Sequence, residues 1–311
     1  MLGTPLHVWI IFVVVIVVAL VVDLGVFHRR PEKISLRKAL LESAGWIVLS
    51  LLFAVYVQFS RGTQAGITFL TGYLVEKSLS VDNIFVFVLI FRAFQVPEHS
   101  QHKVLFYGVA GALAMRAIFV LAGVELLQRF HFILFIFGAI LVFTAIRMLW
   151  PTERAIDPDR NWLVKIARRF LPVAPDYEGN DFWVKRERKW HATPLFMALL
   201  AVEAMDIVFA VDSVPAVLAI TRDTFIVYSS NAFAILGLRA LYFTLADILP
   251  RFRFLHHGLA AILFFVGVKM IGSDWVDVSE LASLGVIAGI LAVTIVASMA
   301  IPAKAAQKSE G

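Results

Sequence analysis

The chain has 311 residues, 60% of them hydrophobic and only 16% charged, with a mean hydropathy of +0.84. A soluble domain of this length is far more polar. Its net charge of +5 comes from basic residues in loops beside apolar runs, which reads as a topology signal rather than nucleic-acid binding, and the absence of cysteine excludes disulfides, thiolate metal sites and cysteine redox chemistry.

Apolar runs long enough to cross a bilayer recur along the chain, without the alternation of a membrane barrel. They predict an all-α membrane protein with about nine transmembrane helices, embedded in the lipid bilayer. Spans 7–27 and 43–59 form an N-terminal pair within 1–60. Spans 65–91, 103–124 and 131–150 make a first group over 61–150, and a basic loop over 151–192 follows. Spans 194–220, 224–248 and 255–272 make a second group over 193–272, and a last span, 281–301, lies with the tail in 273–311.

No Lys or Arg precedes the first run, and Arg29, Arg30 and Lys33 follow it. That polarity argues against a cleavable signal peptide and places the N-terminus outside. Alternate connections carry Arg92 and Lys103, the 151–192 loop, Arg251 and Arg253, and finally Lys304 and Lys308, so the C-terminus is expected in the cytoplasm. In the loop, Leu163, Ile166 and Phe170 share one helical face and Lys165, Arg168 and Arg169 the other. This segment is either an amphipathic helix on the inner leaflet or a solvated basic connector.

Two acidic motifs interrupt the apolar runs. Glu76-Lys77-Ser-Leu-Ser80-Val-Asp82-Asn83 lies in the third span, and Glu203-Ala-Met205-Asp206 with Asp212-Ser213-Val-Pro215 in the sixth. A charge at membrane depth costs at least ~2.5–3.5 kcal/mol, so five carboxylates there point to a cation site. Residues seven apart share a helical face, which aligns Glu76 with Asn83, Ser80 lying between them, and Asp206 with Ser213. Asp82 and Asp212 fall off that stripe by about 120°. A local break at Asn83, Ser213 or Pro215 would bring them back.

The likeness extends to the following spans. Met115-Arg116-Ala117 resembles Leu238-Arg239-Ala240; Glu125 and Arg129-Phe130 match Asp247 and Arg251-Phe252; Gly138 to Phe143 matches Ala260 to Phe265, and Arg147-Met148 matches Lys269-Met270. Three spans matching three spans predict a 3+3 inverted repeat, because an odd number reverses the second copy.

Asp, Glu, Asn and Ser offer hard oxygen donors, which suit Mn²⁺, Ca²⁺ or Mg²⁺ and disfavour Cu⁺. The expected site comprises Glu76, Asp82, Asn83, Glu203, Asp206, Asp212 and Ser213, with Lys77, Ser80 and Met205 as modulators. Met205 either lends a soft sulfur, favouring Mn²⁺ over Ca²⁺, or packs. Lys77 either neutralises Glu76 or snorkels. The alternative for individual acids is a buried hydrogen bond to Arg116, Arg239 or Lys77. Asp23 is expected at the interface or on Arg29, outside the site. His99, His102, His256 and His257 have no paired ligand spacing. Metalloprotease, nucleophile-elbow and nucleotide-loop motifs are absent, so no enzyme is expected.

Phe69 through Asn83, Ala192-Thr-Pro-Leu195, Glu203 through Pro215, and Asn231 through Tyr242 together resemble the TerC/Alx family of integral membrane proteins, especially its Alx branch. The resemblance runs from about residue 4 to 300. It implies a bacterial inner-membrane exporter of Mn²⁺, associated with tellurite resistance, in which Glu76, Asp82, Glu203, Asp206 and Asp212 carry the role. Met205 stands where a small polar residue is commoner in the family. Mn²⁺ is then cargo, with Ca²⁺ the nearest competitor, and no permanently bound cofactor is expected. A membrane redox or tellurite-stress modulator, or a scaffold without transport, is the competing reading. Oligomeric state, coupling ion and physiological trigger are left open.

Overall fold

A computed structural model describes residues 4–27, 36–150, 161–186, 189–245, 254–276 and 278–300. Arg29, Arg30, Lys33, Asp247, Arg251, Arg253, Lys304 and Lys308, and the side chain of Asp82, lie outside the described residues. The chain forms α1 (Leu6–Phe27), α2 (Leu36–Arg61), α3 (Thr63–Ala93), α4 (Glu98–Arg129) and α5 (Ile133–Met148). A short α6 (Trp162–Phe170) and a hairpin of β1 (Trp183–Arg186) and β2 (Lys189–Ala192) follow. Then come α7 (Pro194–Leu218), α8 (Thr224–Leu236), α9 (Leu238–Leu245), α10 (Leu255–Ile271) and α11 (Glu280–Ala300).

Among the described residues, seven helices or joined helices are long and apolar enough to cross a membrane: α1, α2, α4, α7, α8 with α9, α10 and α11. This is an all-α, multi-pass integral membrane architecture. The other two apolar helices have different shapes. α3, at 31 residues, is longer than any bilayer requires but carries Glu76, Lys77 and Asp82 in its middle. α5 has 16 residues, about 24 Å against a hydrocarbon core of ~30 Å.

The helices pack through two apolar clusters. One joins α1, α2, α3 and α8 through Phe12, Phe53, Phe69, Phe225 and Phe233, with Phe53 stacked on Phe233 at 4.5 Å between centroids. The other lies among α4, α5, α7 and α10. Lipid gives no hydrophobic drive for helices to meet, so close van der Waals approach must hold them. Gly138 and Gly267 permit it: a Cβ on Gly138 would stand 3.0 Å from the Gly267 carbonyl oxygen, and one on Gly267 would stand 2.9 Å from the Gly138 oxygen.

The helix break falls elsewhere than the motifs suggested. α3 and α7 run unbroken through Asn83, Ser213 and Pro215. Pro215 sits in the last turn of α7, where its missing N–H removes a single ladder bond. The seventh span breaks instead at Gly237, between α8 and α9. Lys77 reaches this break from α3, its Nζ donating to the Ala234 carbonyl at 3.2 Å. Of the two roles expected for Lys77, it takes neither; it caps a broken helix.

The loop contains the expected short helix, capped by Asn161, whose Oδ1 accepts from Leu163 N and Val164 N at 3.1 and 3.3 Å. Ile166 and Phe170 share one face of it, as their spacing predicts. Val164 and Ala167 are buried, whereas Trp162, Ile166 and Phe170 form an exposed apolar stripe. α6 packs on α7, and Tyr177 Oη donates to the Phe94 carbonyl at 2.6 Å, which ties this segment to the end of α3.

Candidate functional site

The centre of the bundle is an arginine. Arg116, on α4, is wholly buried, and a lone guanidinium there would be prohibitively costly. Acceptors from three helices surround it. Its Nη1 donates to Oε1 of Glu76 on α3 and to Oδ1 of Asn231 on α8, the latter at 2.7 Å. Its Nη2 donates to Oδ1 of Asp206 on α7 at 3.5 Å. Asn231 is oriented by its own Nδ2, which donates to the Val227 carbonyl at 3.0 Å and so turns the amide oxygen toward the arginine.

The cluster is incompletely satisfied. Glu76 Oε2, Asp206 Oδ2, Ser213 Oγ and Arg116 Nε are all buried and lack a hydrogen-bond partner. Ser213 lies toward Glu76 without closing a full hydrogen bond. Two carboxylates and one guanidinium carry one net negative charge, and three uncommitted oxygens surround it. Buried polar atoms are nearly always paired, which sets this cluster apart from the other polar groups of the bundle.

The remaining predicted residues are distributed around this centre. Asn83 is buried on α3. Ser80 is buried too, but its hydroxyl donates to the Glu76 backbone carbonyl at 2.8 Å and serves its own helix. Glu203, one turn before Asp206, rests against α4 at Gly111, and the described residues give it no hydrogen bond or ion pair. Asp212 faces the other way, to α5, where its Oδ1 accepts from Thr144 Oγ1 at 2.9 Å. It stays off the stripe because α7 does not break. Met205 is half-buried and packed against the larger apolar cluster. No three Asp, Glu or His side chains gather as a ready metal cage among the described residues.

Three partners were not assigned from the sequence: Asn231, Thr144 and Gly111. Asn231 carries a polar amide in an apolar run, which is a usable signal; the other two are ordinary membrane residues. Arg116 was visible only as one possible neutraliser. Asp23 is buried on α1, outside the cluster, and accepts a hydrogen bond from Nη2 of Arg239 on α9; Arg29, its expected partner, lies outside the described residues. Arg116 and Arg239 therefore share a motif and a burial class, yet hold different acids.

A profile of the Integral membrane protein TerC family matches residues 61–306. An uncharacterised membrane protein of Myxococcus xanthus is 46% identical over 297 residues, covering 96% of this chain and 93% of its own. The relatives called "Putative membrane-bound redox modulator Alx" are similar at 43% in Salmonella typhi and 42% in Escherichia coli K12, each over 303 residues and 94% of both chains. No solved structure matches. With its profile, its relatives and its multi-pass helical bundle in agreement, the chain belongs to the TerC family of integral membrane proteins.

Proposed function

We propose that the protein is a secondary transporter that exports Mn²⁺ from the bacterial cytoplasm across the inner membrane in exchange for protons. One observation carries this reading. Glu76 and Asp206, the matched acids of the two motifs, meet at a single buried arginine and leave three oxygens uncommitted. A proton balances the net negative charge in one state. In the other, a divalent cation takes the oxygens of Glu76, Asp206 and Ser213 as Arg116 gives way. Exchange of one for the other is the coupling. The oxygen donor set suits Mn²⁺ and also Ca²⁺, and the family resemblance favours Mn²⁺.

The reading includes nine spans, with α3 and α5 crossing the membrane, the N-terminus outside and the C-terminus in the cytoplasm. It also includes an inverted repeat of α3–α5 against α7–α10. The packing supports that repeat. A two-fold exchanging α3 with α7, α4 with α8 and α9, and α5 with α10 converts the α4–α7 contact into the α3–α8 contact, and both are extensive. It also maps each of α3–α7, α4–α8 and α5–α10 onto itself, and these pairs touch as well. Along α7, Glu203 lies about 4.5 Å on the α6 side of Asp206 and Asp212 about 9 Å beyond it. In this topology Glu203 is the first of these acids met from the cytoplasm.

The test is Mn²⁺ uptake by inside-out vesicles or proteoliposomes holding the purified chain, with internal pH recorded. Uptake with proton release is expected, and Asp206→Asn should abolish both while the protein stays inserted, since removing a charge lowers the cost of insertion. Wild-type transport by a properly inserted Asp206→Asn would overturn the assignment. The relatives' name favours a second reading, a membrane-bound redox modulator. With no cysteine on the chain, that role would not run through its own thiols. Absence of any cation flux in sealed proteoliposomes would select it.

A further inference from the structure

Glu42 lies apart from the central cluster, and the described residues give it no hydrogen bond or close ion pair. It sits on α2 with 9% of its surface exposed, and its buried Oε1 has no hydrogen bond. The charged groups facing it are Asp23 on α1, Arg239 on α9 and Lys38 one turn earlier on α2. Among the described residues none pairs with it at contact distance, and Arg239 is engaged by Asp23. Glu42 instead borders a groove of about 600 Å³ between α1 and α2. Val14, Val18, Ala19, Leu41 and Trp46 form much of its wall, and Glu42 and Lys38 are its only charged members. Val14, Val18 and Leu41 are more than half exposed on the outer surface of the bundle, at 53, 54 and 66%, so the groove opens toward lipid.

An unpartnered carboxylate in such a wall is costly, while a neutral carboxylic acid is tolerated. We infer that Glu42 is a proton-binding site reached from the bilayer through the α1–α2 groove, separate from the Glu76–Asp206 cluster and independent of whether that cluster transports. The site has a distinctive chemistry. A protonated carboxyl in an apolar groove reacts with a hydrophobic carbodiimide. Its proton passes to one carbodiimide nitrogen, its oxygen bonds to the central carbon, and one C=N π bond is consumed. The O-acylisourea then transfers its acyl group to nitrogen, giving a stable N-acylurea that retains every atom of both reactants.

The full chain in proteoliposomes is treated at neutral pH with dicyclohexylcarbodiimide, and peptides are read by mass spectrometry. The peptide holding Glu42 should gain one carbodiimide. A charged, water-soluble carbodiimide should label it roughly tenfold less, because a charged reagent is excluded from an apolar groove. Labelling should fall as pH is raised. Val18→Trp, which puts a larger side chain on the groove wall on the opposite helix from Glu42, should protect Glu42. Failure of Glu42 to react, equal reaction with both reagents, or undiminished reaction in Val18→Trp would each overturn the proposal.

Discussion

The carboxylate of Glu203 rests over the bare Cα of Gly111, in space that a methyl group on that residue would occupy. α7 and α4 therefore approach each other with an acidic side chain folded into the contact. Gly111→Ala should eject the carboxylate or push the helices apart. Overpacking of this kind costs ~1–3 kcal/mol. A double-mutant cycle resolves the cause: Gly111→Ala should lower the melting temperature in detergent, and adding Glu203→Ala should recover most of the loss. Strictly additive effects would show that the two residues do not contact. If the protein transports Mn²⁺ in the proposed topology, with Glu203 ahead of the central cluster on the cytoplasmic side, Gly111→Ala in vesicles should raise the apparent KM for Mn²⁺ more than it lowers the maximal rate.

Arg116 is the group whose loss should be felt most. Arg116→Met leaves Glu76 and Asp206 buried without their counter-charge, and breaking a buried ion pair typically costs ~3–5 kcal/mol. The expected result is a large drop in unfolding temperature or little protein in the membrane. The triple variant Arg116→Met/Glu76→Gln/Asp206→Asn removes the stranded charges and should recover expression and stability, while remaining inactive. Stability of Arg116→Met equal to wild type would show that the arginine does not hold the cluster together.

Met205 packs against the apolar cluster joining α1, α2, α3 and α8, so its sulfur is expected to have no part in selectivity. Met205→Ala should reduce Mn²⁺ and Ca²⁺ handling alike, through a cavity penalty on the order of 2–5 kcal/mol if the site collapses poorly. The measurement is radioactive manganese flux in inside-out vesicles against rising Ca²⁺. A changed competition ratio would place the sulfur at the ion.

Much of this fold was readable because lipid imposes long apolar runs: seven of the expected spans coincide with helices long and apolar enough to cross a membrane, and helices α3 and α5 lie where the other two were expected. Boundaries shifted where polar residues continued a helix, as in α2, which begins at Leu36 rather than near residue 43. The Gly237 break was hidden: one glycine in the apolar run from Asn231 to Tyr242 looks like any other membrane glycine. In the site, the seven-residue stripe pairs Glu76 with Asn83 and Asp206 with Ser213, and all four are buried, while Asp212, off that stripe, bonds Thr144 on α5. Periodicity along one helix cannot say what faces it from another. Arg116 is 40 residues from Glu76 and 90 from Asp206, so their meeting is a product of tertiary packing.

Glu76 and Lys77 are neighbours on α3 that hold different parts of the bundle: one grips Arg116, the other the open carbonyl at the bend between α8 and α9. Consecutive residues on a helix are about 100° apart and cannot turn independently. A roll of α3 that releases Glu76 from Arg116 must also draw Lys77 away from Ala234. The bend would then lose its fastening at the moment the central charge is freed, and α9, which carries Arg239, would be released with it. The two fastenings on α3 are thus linked: a rotation that loosened one would loosen the other.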